Sequence, residues 1–331
     1  MSFFLKNSKM ITFVDLCSGI GGGRLGLEKN GFKCLGFSEI LQTSIQTYKT
    51  FYDTSNEEEL GDLTKLSMDK IPDVDMLIAG FPCQAFSIQG LRKGFEDERG
   101  QIIFYIQKIL KEKNMKYFIL ENVKGLTNHN EGETLTSIVQ LLDKVGYNVF
   151  YQVLKSNDYG LPQKRERIYF VGIRKDLSYS NYEFPKPYEK KAELKDFLID
   201  TDRKYDYNNF EWLSKYMNNK YNVGKYDLNK ILAEDFLVVD TRQSDMRFFR
   251  GYIPTLRTGR SGILYVRDGK LRKLSGRESL LLQGFGKNIF DKAKGYRDSL
   301  LLQQTGNAMS VNVIESIGSS LKELIIKNGD L

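Results

Sequence analysis

The sequence is poor in the residues that build metal sites and disulfide frameworks. Its 331 residues include three cysteines and a single histidine, His129. The cysteines Cys17, Cys34 and Cys83 form no C-x-x-C pair, and a zinc site needs several cysteine or histidine ligands. We therefore expect neither disulfides nor a bound metal, and we interpret Cys17 and Cys34 as small buried residues near strand ends.

Long apolar runs are missing as well. No run approaches the roughly 18 residues that a membrane span requires, and the start MSFFL lacks the basic region and cleavage site of a signal peptide. We expect a cytoplasmic protein with no membrane partner. With 41% apolar and 27% charged residues, the chain is long enough for one large domain and a smaller one.

The first 175 residues alternate β-like apolar runs with helical patterns. The predicted strands are 11–16, 33–38, 75–79, 117–121, 148–154 and 167–173, and the predicted helices are 23–30, 41–52, 101–112 and 134–145. This alternation is typical of a mostly parallel sheet covered on both faces, a doubly wound α/β fold.

After residue 174 the alternation gives way to short, irregular strand-like pieces. We predict a large domain of residues 1–190 plus 302–331 and a smaller domain of residues 191–301. Within the latter, Ser275 and Glu278 have the spacing of a capping box that begins a helix. Helical spacing from 311 to 326 predicts a final helix that packs on the large domain.

Positive charge is concentrated in one segment. The ten basic residues from 241 to 280 face only three acidic ones, so this segment accounts for the formal net charge of +7. They are Arg242, Arg247, Arg250, Arg257, Arg260, Arg267, Lys270, Arg272, Lys273 and Arg277. Aromatic residues lie among them, as on surfaces that bind nucleic acid, although a solvated basic face is the alternative.

A glycine loop follows the first predicted strand. The run from Asp15 through Gly19 to Gly21 precedes a helix, and Glu39 stands 20 residues beyond Gly19. Glycines let a ligand approach the backbone, and an acidic residue at this distance suits ribose hydroxyls. Arg24 replaces the third glycine of the dinucleotide motif, which favours a nucleoside cofactor without pyrophosphate. A tight turn without a ligand is the alternative.

Reactive side chains lie at the ends of three other strands, and two arginines come at the start of the strand 167–173. Cys83 comes just after the strand 75–79, where an exposed thiol can act as a nucleophile. Glu121 ends the next strand at the same edge, where partial desolvation would raise its pKa toward use as a proton donor. Arg165 and Arg167, two residues apart, are placed to clamp a carboxylate, a phosphate or a base oxygen, or to form a surface charge run.

Together these motifs resemble the cytosine-5 DNA methyltransferases, in particular the small bacterial restriction–modification type. They occur in the family's order along nearly the whole chain: D-L-C-S-G-I-G-G, Gly61-Asp62, G-F-P-C-Q, E-N-V, Q-K-R-E-R-I-Y-F-V-G, Thr255-Leu256, R-K-L-S-G-R-E-S-L-L-L-Q-G-F and Gly306-Asn307-Ala308. The resemblance implies the fold of an S-adenosylmethionine-dependent methyltransferase, with the smaller domain as a target-recognition domain.

The resemblance also implies catalytic roles. Cys83 would attack carbon 6 of a flipped-out cytosine, and carbon 5 would take the methyl group of S-adenosylmethionine. Glu121 would hold or protonate ring nitrogen 3, and Arg167 would contact the base oxygen. Arg165 would support Glu121 and the backbone of the flipped nucleotide.

Cofactor binding is implied for a second set of residues: Asp15, Cys17, Gly19, Gly21, Gly22, Glu39, Asp62, Pro82 and Asn307. Among them, Glu39 would bind the ribose, Asp62 the adenine and Asn307 the methionine end. Close relatives carry an aromatic residue that stacks on the adenine in place of Cys17. We therefore expect weaker cofactor binding or substitution by another aromatic residue, such as Phe37.

Double-stranded DNA is the implied partner. Gln84 and Ser87 would belong to a loop that closes on DNA, and Gln243 would enter the space that the cytosine leaves. The predicted DNA-binding residues are Gln84, Ser87, Gln243, Arg247, Arg250, Thr255, Arg257 and Arg260. We expect a nucleoid-associated monomer with a cognate restriction endonuclease in the same system, without direct contact between the two.

Two other functions remain open. A tRNA cytosine-5 methyltransferase of the same family would share the catalytic motifs, but the basic segment is better explained by reading of a DNA groove. A noncatalytic DNA-binding regulator would have no reason to keep Cys83 together with Glu121, Arg165 and Arg167.

Overall fold

The computed structural model describes residues 10–82, 102–177, 179, 181–259 and 262–331. The strands in these ranges are β1 (Thr12–Leu16), β2 (Lys33–Ser38), β3 (Glu58–Glu59), β4 (Met76–Gly80), β5 (Tyr117–Val123), β6 (Tyr147–Lys155), β7 (Gln163–Lys164), β8 (Glu166–Arg174), β9 (Val238–Asp240), β10 (Arg247–Phe249), β11 (Ile253–Pro254), β12 (Ile263–Arg267) and β13 (Lys270–Lys273). The α-helices are α1 (Gly22–Glu28), α2 (Gln42–Phe51), α3 (Ile102–Glu112), α4 (Glu133–Asp143), α5 (Phe210–Met217), α6 (Leu228–Leu232), α7 (Gly276–Leu282), α8 (Lys287–Lys292), α9 (Asp298–Asn307) and α10 (Val311–Lys327). Short 3-10 helices lie at Leu63–Lys65, Met68–Lys70, Lys124–Gly132, Ser156–Asp158, Lys175–Leu177, Leu194–Asp196 and Arg203–Tyr205.

Contacts divide the described residues into two compact units. The large unit takes its residues from 1–154, 166–186 and 309–331, and the small unit from 155–165 and 187–308. The predicted domain boundaries differ, since they assigned 155–165, 187–190 and 302–308 to the large domain. Gln163 explains part of the difference, because its side chain donates to the carbonyl of Leu282 and accepts from the N–H of Leu256. The assignment of target recognition to one unit stays a prediction.

The large unit is built on a seven-stranded sheet in the order β3-β2-β1-β4-β5-β8-β6. Neighbours from β3 to β5 are parallel, and β8 is antiparallel to β5. The six predicted strands and four predicted helices agree with the structure to within two residues at each end. The doubly wound α/β fold is therefore confirmed, and the strands β1, β2, β4 and β5 end at one carboxyl edge.

Alternate side chains of each strand face opposite layers of helices. Leu77 and Ala79 of β4 pack in a core cluster that includes Ile106 of α3 and Ile138 of α4. On the opposite face, a Cβ atom at Gly23 of α1 would lie 2.9 Å from the side chain of Ile78. Helix α10 covers α1 on that side, which confirms that the last helix packs on the large unit.

The small unit contains a four-stranded antiparallel sheet in the order β10-β9-β12-β13. One face packs Val238 and Tyr265 in a cluster with Leu282, and the other packs Val239 against Leu213. The capping box at the start of α7 is confirmed. The Ser275 hydroxyl accepts from the N–H of Glu278, whose carboxylate accepts from the N–H of Ser275, both at 3.0 Å.

Candidate active site

The loop between β1 and α1 uses glycine for two reasons, a left-handed backbone conformation and close packing. Gly19 and Gly21 have φ angles of 56° and 81°, in the region that favours glycine. Gly22 begins α1, and a Cβ atom there would lie 2.5 Å from the carbonyl oxygen of Met309. The loop therefore presents bare backbone at the carboxyl edge of the sheet, as close approach of a ligand requires.

Glu39, directly after β2, joins the glycine loop to the neighbouring strand end. Its carboxylate accepts a hydrogen bond from the N–H of Gly19 at 2.9 Å. It also accepts from the N–H groups of Ile40 and Leu41 at 2.8 and 2.9 Å. These three bonds fix the orientation of the carboxylate and leave acceptor capacity for a ligand hydroxyl.

Asp62 lies near the same edge, beyond β3. It caps the 3-10 helix Leu63–Lys65, where its carboxylate accepts from the N–H and hydroxyl of Thr64 at 2.9 and 2.8 Å. Burial opposes ionisation, but these hydrogen bonds hold the pKa of Asp62 below its usual value. The Ser38 hydroxyl donates to the carbonyl of Gly61 at 2.6 Å and so joins this segment to the end of β2.

Two buried polar atoms around the loop have no hydrogen-bond partner among the described residues. They are Asp15 Oδ1 and Ser18 Oγ. Burial raises the pKa of the Asp15 carboxyl well above its usual value, although the nearby Arg24 opposes this shift. Because unpaired buried polar atoms are costly unless water or a ligand supplies a partner, the loop and Glu39 fit a small polar ligand.

Cys17 and Phe37 differ in what they can offer such a ligand. Cys17 is half-buried with a φ of 52°, and burial, reinforced by Glu39, raises the pKa of its thiol to about 12. Phe37 is 1% exposed, and its ring stacks on Tyr48 with centroids 4.3 Å apart. The expectation that Phe37 stacks on the cofactor is therefore wrong, because its ring is enclosed in the core.

Glu121 lies beside the end of β4. In the parallel register Gly80 is paired with Glu121, and a Cβ atom at Gly80 would lie 3.7 Å from Glu121 Oε2. The Asn122 side chain donates to the carbonyl of Phe81 at 3.0 Å, which fixes the segment that leads to Cys83. The sheet therefore holds Glu121 next to the residues that precede the predicted nucleophile.

Arg167, on the antiparallel strand β8, pairs with Glu121. Its Nε lies 3.0 Å from Glu121 Oε1, and the two side chains are 15% and 11% exposed. Its Nη1 also donates to the carbonyl of Glu166 at 2.8 Å. Such a charge-assisted contact orients both groups, so the structure brings these two predicted catalytic residues together.

Arg165 is bound within the small unit. Its guanidinium donates to three backbone carbonyls, those of Leu256, Gly306 and Ala308, at 3.2, 3.1 and 3.0 Å. The side chain is buried, so these contacts give it a structural role. The contacts of the two guanidinium groups are different, since Arg167 pairs with Glu121 and Arg165 donates to backbone carbonyls. A common clamp on a ligand stays a prediction. A catalytic role for Arg165 stays a prediction.

For several predicted site residues, the described part of the chain shows no contact that tests the predicted role. Cys83, Gln84, Ser87 and Arg260 lie outside the described residues. Pro82 is exposed two residues after the end of β4, and Asn307 is exposed at the end of α9 in the small unit. The roles of these residues stay predictions.

Three predicted DNA-binding residues have partners within the small unit. Gln243 Oε1 accepts from Arg247 at 3.1 Å. Arg250 makes a bidentate pair with Glu234 at 2.6 and 2.8 Å. Arg247 remains exposed, whereas the charge of Arg250 is already neutralised in part.

Thr255 and Arg257 lie close in sequence but differ in their contacts. The Thr255 hydroxyl donates to the carbonyl of Lys164 at 2.6 Å. Arg257 is exposed, and no ion pair joins it to any residue in the described ranges. Among the predicted DNA-binding residues that the structure describes, Arg257 is therefore best placed to contact a phosphate.

Part of the basic surplus is structural. Arg242, Arg272 and Arg277 pair with Asp240, Asp206 and Asp200 at 2.7, 2.6 and 2.9 Å. All three acidic partners precede the segment 241–280, so a local count of charges overestimates the free positive charge. These three arginines were not among the predicted DNA-binding residues, and the interpretation of the segment as a nucleic-acid-binding surface stays a prediction.

We expect Arg257→Gln to weaken DNA binding and to reduce its salt dependence. Loss of one phosphate contact lowers the slope of log K against log salt by about one. The matched control is Lys33→Gln, since Lys33 is exposed at the amino end of β2, away from the carboxyl edge. Equal slopes for the two variants, measured on one DNA duplex from low to moderate salt, would show that Arg257 lies off the interface.

The surroundings of Arg24 were not predicted. In the sequence, Arg24 is only a departure from the dinucleotide glycine motif, yet its side chain is buried and pairs with Glu57, 33 residues away. No local sequence pattern predicts this ion pair. The one sequence feature that could have indicated it is an arginine at the start of a helix that is otherwise rich in glycine and apolar residues.

The described residues give no sign of a membrane span or a metal site. Within these ranges no helix has the length and apolar character needed to cross a bilayer. In the same ranges, the histidine, cysteine and acidic side chains form no group of three that suits a metal ion.

Comparison with known proteins agrees with this geometry. Among solved structures, a putative DNA modification methyltransferase from an E. coli prophage superposes with a TM-score of 0.70 at 23% identity, covering 96% of this chain and 99% of that one. The Dnmt2 methyltransferase of S. pombe gives a TM-score of 0.69 at 18% identity, with coverages of 96% and 99%. At these identities the likeness establishes the fold.

Sequence comparison adds the family. The type II methyltransferase M.DsaV of Dactylococcopsis salina is 37% identical over 96% of this chain and 87% of its own length. M.HhaI of Haemophilus parahaemolyticus is 35% identical, with coverages of 94% and 95%. The profile described as "C-5 cytosine-specific DNA methylase" matches residues 11–323. With the carboxyl-edge site of Glu121 and Arg167, these matches show that the chain belongs to the C-5 cytosine-specific DNA methylases.

Proposed function

We propose that this protein methylates carbon 5 of a cytosine that it flips out of duplex DNA, with Cys83 as nucleophile and S-adenosylmethionine as methyl donor. The observation that carries the proposal is the pairing of Glu121 with Gly80 in the parallel register. An oriented carboxylate therefore lies beside Gly80, which precedes Cys83 by three residues in the sequence. The family membership supports the reaction class.

The donor group fits the glycine loop. S-Adenosylmethionine supplies an electrophilic methyl group on a sulfonium sulfur when bound. Glu39 is oriented to accept from a ribose hydroxyl, and the unpartnered Ser18 Oγ is available to a polar ligand group. Asp62, held as a carboxylate, can accept from an exocyclic amine such as that of adenine. Asn307 would contact the amino-acid end.

Carbon 5 of cytosine is too weak a nucleophile to take a methyl group unaided. We infer that the Cys83 thiolate adds to carbon 6, forming a carbon–sulfur bond, while Glu121 delivers a proton to ring nitrogen 3. The ring is then an enamine, and its carbon 5 bonds to the methyl carbon while the bond from that carbon to the donor sulfur breaks, which leaves S-adenosylhomocysteine. Loss of the carbon 5 proton to a base, cleavage of the bond to Cys83 and return of the nitrogen 3 proton to Glu121 restore the aromatic ring.

Arg167 supports this chemistry in two ways. Its contact with Glu121 holds the carboxyl group in place at the strand end. Its remaining donors suit the oxygen at carbon 2 of the flipped base, where negative charge develops during addition. A flipped base can reach these groups, whereas a base inside the duplex cannot.

We expect a duplex whose target cytosine is mispaired to bind more tightly than the paired duplex. Flipping costs a few kcal/mol in lost pairing and stacking, and a mismatch removes part of that cost. Each 1.4 kcal/mol spared corresponds to about tenfold in affinity. The two duplexes are compared at one salt concentration with S-adenosylhomocysteine present. Equal or weaker binding of the mismatch would argue against flipping in the stable complex.

The biological setting follows from the relatives. They are type II methyltransferases, so we propose that this protein serves a restriction–modification system and protects the site of a cognate endonuclease. No direct contact between the two enzymes is required for this role, because both recognise the same DNA sequence independently.

A labelled transfer assay tests the proposal. Purified protein is incubated with methyl-labelled S-adenosylmethionine and either duplex DNA or tRNA, and bisulfite sequencing then locates the modified cytosines. We expect label in DNA at one short recognition sequence. Label in tRNA alone would identify an RNA enzyme, and absence of label from both, with DNA binding retained, would indicate a noncatalytic DNA-binding protein.

A further inference from the structure

Arg24 is a buried cation within α1, directly after the glycine loop. Its side chain lies in the core with 4% of the residue exposed. Two guanidinium nitrogens donate to the carboxylate of Glu57 at 2.7 and 2.6 Å, and Nε donates to Glu28 at 2.9 Å. Such a bidentate pair orients the guanidinium group and compensates its charge. Burying such a group carries a desolvation cost that packing alone does not require.

Two tyrosine rings cover this guanidinium. Its central carbon lies 4.4 Å from the ring centroid of Tyr52 and 5.3 Å from that of Tyr48. Both distances are within the range of cation–π attraction. The fixed cation therefore restrains the position of both rings, which also contact each other with centroids 4.9 Å apart.

Tyr52 transmits this restraint to the glycine loop. Its hydroxyl donates to the carbonyl of Gly21 at 2.7 Å, and burial raises the pKa of this hydroxyl so that it remains a donor. The same carbonyl accepts the first helical bond from Leu25. A Cβ atom at Gly21 would lie 2.3 Å from the Tyr52 ring, so ring and loop are in direct contact.

Tyr48 reaches the other side of the loop. Its hydroxyl lies 3.4 Å from Oδ2 of Asp15, in the strand that leads into the loop. The two rings on Arg24 therefore contact both the start and the end of the segment from Asp15 to Gly21. The N-cap residue of α1 is Gly21, which has no side chain to form a capping hydrogen bond, and the Tyr52 hydroxyl contacts the carbonyl of this residue.

We propose that Arg24 is a positioning residue for the methyl donor, acting through Tyr52 on the Gly21 carbonyl and so on the N–H groups of the glycine loop. This inference rests on the proposed cofactor site at that loop, which it deepens. Arg24 would touch neither the cofactor nor the DNA. Substitution of Arg24 would therefore change the affinity for the cofactor, and this change would not be explained by a change in thermal stability or in the rate of the chemical step.

The first test removes one hydroxyl. Tyr52→Phe keeps the ring on Arg24 but loses the bond to Gly21. Tyr147→Phe is the matched control, because the Tyr147 hydroxyl is also buried and also donates to backbone carbonyls, those of Leu110 and Met115. Affinity for S-adenosylmethionine is measured by calorimetry, together with kcat, KM and thermal stability of the full chain.

We expect Tyr52→Phe to raise the cofactor Kd and KM by about threefold to tenfold, the range for one hydrogen bond. The kcat at saturating cofactor should stay within about twofold, since the bond acts on binding. Tyr147→Phe should lower thermal stability similarly but leave the cofactor Kd unchanged. Equal Kd values for Tyr52→Phe and wild type would overturn the proposal.

The second test asks whether Arg24 acts through Tyr52. Arg24→Lys keeps the charge but loses the bidentate pair with Glu57, and we expect a similar rise in Kd. If Arg24 acts through Tyr52, the double variant, which combines Arg24→Lys with Tyr52→Phe, should have a cofactor Kd no higher than that of the single variant with the higher Kd. Additive effects would show that Arg24 acts independently of Tyr52 and would contradict the proposal.

The wild-type protein separates this inference from the proposed function. If wild type binds no S-adenosylmethionine, the cofactor site itself is wrong and the positioning role falls with it. If wild type binds and Tyr52→Phe binds equally well, the positioning role alone is wrong.

Discussion

Replacement of Cys83 by serine is expected to reduce methyl transfer by roughly a hundredfold or more, because the reaction needs a thiolate at carbon 6. A serine hydroxyl fits the same space but does not ionise near neutral pH. DNA binding and folding should persist, since the change removes no large group. The measurement is incorporation of labelled methyl groups under single-turnover conditions.

The matched control for Cys83→Ser is Cys34→Ser. Cys34 is 2% exposed within β2, where its thiol contacts the carbonyl of Gly36, and burial raises the pKa of that thiol to about 12. This control should retain wild-type turnover per folded molecule, whatever its effect on stability. Turnover of Cys83→Ser above about one hundredth of wild type would move the nucleophile elsewhere.

A trapping experiment examines the covalent step directly. Release of the product requires loss of a proton from carbon 5, and fluorine at that position cannot leave as a cation. Duplex DNA with 5-fluorocytosine at the target should therefore form a lasting adduct with wild type and none with Cys83→Ser. An adduct with the serine variant would assign the bond to another residue.

Replacement of Glu121 by glutamine should lower kcat by about 10²–10⁴-fold, the usual contribution of a positioned acid or base. Glutamine keeps the size and hydrogen-bonding groups of the side chain but cannot deliver a proton to ring nitrogen 3. It also removes the charge that pairs with Arg167 at 3.0 Å. The KM for DNA should change much less than kcat.

Glu166→Gln separates catalysis from a general loss of charge. Glu166 begins β8, next to Arg167, and its carboxylate contacts Lys124 at 3.2 Å in a more exposed setting. Near-normal kcat in this control, with a large loss in Glu121→Gln, would support the assignment. Comparable rates for the two variants would place the acid elsewhere.

The sequence by itself determined the fold class and which segments meet at the site. The patterns of apolar residues predicted the ends of every long strand of the large unit to within two residues. This was possible because the spacing of apolar side chains along a strand or helix is a local property of the sequence. Parallel strands end at one edge, so the glycine loop, Glu39 and Glu121 could be placed together without coordinates. The ordered motifs indicated the family.

Tertiary structure alone decided what the charged and aromatic side chains contact. Arg165 and Arg167 are two residues apart, yet one is bound by carbonyls of the small unit and the other by Glu121. The apparent surface charge of Arg272 is cancelled by Asp206, and the ring of Phe37 is covered by Tyr48. These partners are distant in sequence or come from another element, and a local pattern carries no information about which distant group will neutralise a charge. Burial makes such pairing obligatory, so only the folded chain determines which cations remain free for DNA.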